Sequence, residues 1–121
     1  MPRTTISSKT TPPGAYPTLQ PAADSLDVLW TAADVANKNQ FKLEEGDIVL
    51  MWNSGALPYT VTLTSVADAA NRTGDVTAYS LAAADIAVFG PLQLKGWRQT
   101  DGNFYLEATN AAVKFAILRK V

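Results

Sequence analysis

Tyr59-Thr60-Val61-Thr62-Leu63-Thr64 alternates large apolar residues with threonine over six positions. Successive side chains of an extended chain point to opposite faces, so Tyr59, Val61 and Leu63 share one face and the threonines share the other. Most of these side chains are aromatic or β-branched, the types that fit a pleated, half-buried surface. The stretch reads as a strand with one dry face, and its neighbours are read from it.

Upstream, Ile48-Val49-Leu50-Met51-Trp52 is a continuous apolar run, the pattern of a strand covered on both faces, with Trp52 in the core. Glu44-Glu45-Gly46-Asp47 turns ahead of it and Asn53-Ser54-Gly55 turns after it. Phe41-Lys42-Leu43 alternates. Leu26-Asp27-Val28-Leu29-Trp30 is a further short strand, and Thr31 to Asp34 offers an N-cap for one or two helical turns through about Lys38. Downstream, Val76 to Leu81 and Asp85 to Phe89 are strands, with Ala82-Ala83-Ala84 open between strand and turn. Gly90-Pro91 and Gly96 break the chain. Asp101-Gly102 favours a two-residue type I′ hairpin. Asn103–Glu107 and Val113–Leu118 close the domain. Seven to nine short strands punctuated by glycine give an all-β fold: an antiparallel β-sandwich or jelly-roll-like barrel with an extended N-terminal arm and at most one short helix.

The arm spans residues 1–25 and the β body residues 26–121. Five of the seven prolines lie in the first 21 residues, among Thr, Ser and Ala with few large aliphatic side chains. Proline fixes φ and pushes the preceding residue toward extended conformations, and such a segment has little apolar area to offset its ordering entropy. It is either a frayed end or an arm ordered along a partner. On the second reading the contacts are Thr4, Ile6, Pro12, Pro13, Tyr16 and Leu19, with Tyr16 and Leu19 as anchors.

The composition narrows the chemistry. The formal net charge is −1, which provides no basic field for nucleic acid. There is no cysteine and no histidine, so thiolate catalysis, disulfides, the commonest general base and the commonest transition-metal ligand are all excluded. No apolar stretch approaches the roughly 20 residues that span a bilayer, and no apolar segment follows Arg3 and Lys9 as in a signal peptide, so no membrane partner is expected.

The remaining candidates are weak. Glu44, Glu45 and Asp47 surround a glycine, where they are expected to be exposed turn residues and not a catalytic pair. Asp68, Asn71 and Asp75 have the oxygen ligands calcium prefers, but the spacing is not that of an EF-hand and reads as an Asx-rich loop. No Ser-x-x-Lys pairing is present. The expectation is no catalytic residue, no metal and no cofactor. Trp97, beside Arg98 in a loop, is open between partner contact, core closure and stacking on a sugar ring.

Arg72-Thr73-Gly74-Asp75, Phe89-Gly90-Pro91, Gly96-Trp97 and Asp101-Gly102 followed by Tyr105-Leu106 together resemble small structural proteins of tailed bacteriophages and prophages. So do the opening Thr4-Thr5-Ile6-Ser7-Ser8-Lys9-Thr10-Thr11-Pro12 and the stretch from Trp30-Thr31-Ala32-Ala33-Asp34 to Asn37-Lys38-Asn39-Gln40. The resemblance covers essentially the whole chain, through turn and core residues. It implies a non-enzymatic virion component, foremost a capsid decoration (cement) protein on the outer shell, assembled in the host bacterial cytoplasm. Its implied partners are the phage major capsid protein and copies of itself, as a homotrimer. The alternatives are a tail or neck (connector) protein and a carbohydrate-binding module of a host-recognition apparatus.

Overall fold

The structure, a computed structural model, describes residues 2–12, 23 and 26–119. Among these residues there are nine strands and no helix. They are β1 (Thr4–Thr5), β2 (Thr31–Ala32), β3 (Asn39–Lys42), β4 (Ile48–Asn53), β5 (Tyr59–Thr64), β6 (Val76–Leu81), β7 (Ile86–Phe89), β8 (Asn103–Ala108) and β9 (Val113–Leu118). Sheet A has the order β1-β3-β8-β5-β6 and sheet B the order β2-β9-β4-β7. All pairings are antiparallel except β1 with β3. The chain is an all-β sandwich.

The core forms where the inward residues of the two sheets meet. Sheet A contributes Phe41, Val61, Leu63, Phe104 and Leu106, and sheet B contributes Val49, Met51, Val113, Phe115 and Ile117. Val61 and Leu63 are buried and Thr60, Thr62 and Thr64 are not, as the alternation of β5 requires. Phe41 and Phe104 pack with ring centroids 5.2 Å apart.

Several local expectations are corrected. β4 is not covered on both faces: Val49, Met51 and Asn53 are buried, while Ile48, Leu50 and Trp52 are half-exposed on the outer face of sheet B. An apolar run has no period of its own, so it cannot distinguish a dry outer face from a half-wet one. Trp52 therefore lies outside the core, 5.4 Å from Trp30. Leu26 to Trp30 is turn and irregular chain, with Leu26 and Leu29 exposed; pairing with β9 begins only at Thr31. The expected helix is a single turn, closed by the Lys38 N–H donating to the Asp34 carbonyl at 2.8 Å and ended by Lys38 at φ 65°. Asp101-Gly102 makes no two-residue hairpin. The Gly102 N–H donates to the Gln99 carbonyl, and Gln99 N–H to the Asn103 carbonyl, which leaves a three-residue loop with Gly102 left-handed at φ 87°.

The described start of the expected arm belongs to the body. The Thr4 and Ile6 N–H groups donate to the Lys38 and Gln40 carbonyls of sheet A, at 2.9 and 2.8 Å. Farther on, the Thr10 N–H donates to the Ile117 carbonyl and the Arg119 N–H to the Thr10 carbonyl, at 2.8 and 2.7 Å, on sheet B. The boundary expected at residue 25 thus does not separate residues 4–10 from the sandwich. Pro13, Tyr16 and Leu19, named as arm contacts, lie outside the described residues.

Candidate partner-binding surface

A two-sheet sandwich has two flanks where sheet edges lie side by side. On the first, β1 ends sheet A and β2 ends sheet B. Residues 4–10 cross from one sheet to the other there, and Ile6, 3% exposed, joins the core cluster between them. Fully burying such a side chain stabilises by about 1.5–3 kcal/mol.

Charged side chains fasten this crossing. The Lys9 ammonium donates to the Asp47 carboxylate at 2.8 Å, the Glu44 carboxylate at 3.0 Å and the Lys42 carbonyl at 2.7 Å. Asp47 has no exposed surface, and its partners are Lys9 and the Glu44 N–H, which donates to it at 3.0 Å. The bond from Lys9 and then its charge hold the Glu44 carboxyl below the usual carboxylate range, with Arg119 adding to the effect. The acidic cluster is therefore not a set of exposed turn residues: Asp47 is buried structure. Near the start of the segment, Arg3 donates to the Asn39 and Leu106 carbonyls at 3.1 and 3.3 Å, and its guanidinium sits 4.3 Å from the centroid of the Tyr105 ring. Thr4 donates to the Asp34 carboxylate, which lowers the Asp34 pKa more than any other contact does.

Among the described residues the second flank is open. β6 ends sheet A and β7 ends sheet B, joined through the turn at Ala82–Asp85. Between them lies a cleft of about 290 Å³ whose walls include the core side chains Met51, Val61, Leu63 and Leu81. Asp85 is the only charged residue in its lining. Tyr79, Ile86 and Val88 are 50%, 57% and 63% exposed, so this flank holds three of the largest exposed apolar side chains among the described residues. β7 pairs with β4 residue for residue, Val49 with Phe89, Leu50 with Val88, Met51 with Ala87 and Trp52 with Ile86. Ile86 and Val88 therefore share the outer face of sheet B with Leu50 and Trp52. This surface was not singled out from the sequence. The available signal was Ile86-Ala87-Val88-Phe89, a strand apolar on both of its faces.

The other sequence candidates fall elsewhere. Among the expected arm contacts, Thr4 is exposed on β1, Ile6 is committed to its own chain's core and Pro12 is exposed. Trp97 is half-buried, edge-on to Phe89 at 5.1 Å and 5.7 Å from Phe104, which is core closure and not an open platform; Arg98 beside it is exposed. Asp68 is engaged by Arg72, with its side-chain bond at 2.8 Å, and Asp75 by the Ser65 hydroxyl and N–H, both at 2.7 Å. These bonds hold both carboxyls below the usual range and make the two residues loop supports.

Comparison of the chain with protein-family models, curated proteins and solved structures returns no match. The fold defines the class, an all-β sandwich, with one flank closed and one open among the described residues.

Proposed function

We propose that this chain is a non-enzymatic structural protein of a tailed-bacteriophage virion, acting as a capsid decoration protein that binds the outer surface of the major capsid shell. The observation that supports a binding role is the open flank. Among the described residues, two sheet edges and a cleft with one charged residue in its lining, Asp85, are left without a cover, beside Tyr79, Ile86 and Val88. Exposed apolar surface of this kind marks an interaction site. The phage assignment rests on the sequence resemblance. The mechanism is mechanical: many weak contacts repeated over a shell stabilise it through mass action and avidity.

The arm's share of this binding falls to residues 13–25, because residues 4–10 are needed by the chain's own sandwich. A truncation of the first 20 residues would remove Ile6 and Lys9 and damage the fold along with any partner contact. The informative variant replaces residues 13–22 with a Gly/Ser linker of equal length. The test of location is negative-stain imaging of virions that carry a labelled copy of this chain. Label over the head surface supports the decoration role. Label confined to the tail or neck, or absent from particles, overturns it.

A further inference from the structure

Proteins protect the free edges of their sheets, because unpaired N–H and C=O groups form a template for another strand. Three of the four edges here carry such a device. β1 and β2 are only two residues long, and the edge of β9 beyond β2 is taken by Thr10. β6 is interrupted by a bulge opposite Val61 to Leu63 and by Ala78 at φ 50°. β7 has neither. It keeps unbroken register with β4, contains no charged residue and no proline, and is apolar on both faces.

We propose that β7 is a self-association edge, pairing antiparallel with β7 of a second copy of this chain. A twofold axis through Ala87 sets Ile86 opposite the copy's Val88, and Val88 opposite its Ile86. This register keeps outer-face residues opposite outer-face residues, whereas a one-residue slip would oppose outer to inner. It joins the two four-stranded B sheets into one continuous sheet. Charge favours this occupant. The edge and the cleft beside it hold one charged residue, Asp85, so a basic or acidic strand would lose hydration here with little in return, while β7 itself is neutral. The contact is isologous and closes at two copies. A four-residue ladder with a few flanking side chains is smaller than a standard stable interface, so the pairing is weak in solution and depends on concentration. It is read on the free chain, so it stands or falls separately from the virion assignment.

The experiment is light scattering and sedimentation of the full chain over a wide concentration range, with two variants. The expected result is a monomer that converts to a dimer as concentration rises. Val88→Lys should weaken association by roughly tenfold or more, because it sets an ammonium against an apolar partner. Leu57→Lys, at an equally exposed apolar residue in a loop, should leave association unchanged. Thermal melts of both variants establish that the fold is intact. Register is read by cross-linking, which is clean because the chain has no cysteine. A mixture of Ile86→Cys and Val88→Cys chains should form the mixed disulfide in preference to either homodimeric one, since directly opposed residues lie within disulfide reach. Four outcomes overturn the proposal: a monomer at every concentration, a trimer as the resemblance implies, dimerisation unaffected by Val88→Lys, or no preference for the mixed disulfide.

Discussion

The two flanks of this sandwich meet the same physical problem and meet it differently. On the β1/β2 flank the chain's own start runs across both sheet edges, seats Ile6 in the core and ties itself down through Lys9 and Asp47. On the β6/β7 flank two edges border a cleft with no such cover among the described residues. The contrast teaches that the closed flank is part of the fold, whereas the open flank, among the described residues, leaves two sheet edges uncovered, the surface proposed above for a partner. Substitutions should therefore cost stability on the first and association on the second.

The largest loss is expected for Lys9→Met. It leaves the Asp47 carboxylate buried with one backbone donor, and removing one partner of a buried pair costs about 3–5 kcal/mol. Urea unfolding should show this drop, and adding Asp47→Asn to the same chain should recover part of it. A loss of under about 1 kcal/mol would mean the closed flank is not held by this pair. Ile6→Ala comes next, at about 2–4 kcal/mol for a buried aliphatic truncation, read in the same assay. Gly90→Ala should cost about 1–3 kcal/mol. Gly90 sits at φ 130°, and a Cβ there would lie 2.9 Å from the Asp47 carbonyl oxygen, so the turn leaving β7 cannot approach the Asp47 turn without glycine. Val88→Thr, on the open flank, should change stability by less than about 0.5 kcal/mol.

The smallest effect is on pH dependence. Bonds from Ser65 lower the Asp75 pKa in the folded chain. A carboxyl with a depressed folded pKa adds stability above its unfolded value and loses it as pH falls through the folded value, here below about pH 4. Asp75→Asn should flatten the acid limb by slightly lowering the melting temperature at neutral pH and leaving it nearly unchanged below about pH 3.

The sequence revealed the fold better than the surface. The alternation of β5 and the glycine-marked turns identify a sandwich because a strand with one buried face leaves a period-two record. β1 left no record: two threonines have no periodicity, and their strand character comes from Lys38 and Gln40 far along the chain. Asp47 looked like an exposed turn residue because its partner Lys9 lies 38 positions away. The open flank was hidden for the same reason, since strand order is a property of the fold. Only the doubly apolar Ile86-Ala87-Val88-Phe89 hinted at an edge that seeks a second cover.

Amide hydrogen exchange on the full chain, measured under dilute and concentrated conditions, tests the contrast most directly. The Ile6 and β3 amides should be protected at both concentrations. The outward amides of β7 should exchange fast when dilute and become protected when concentrated. Strong protection of every β7 amide in the dilute chain, or rapid exchange at Ile6, would contradict this contrast.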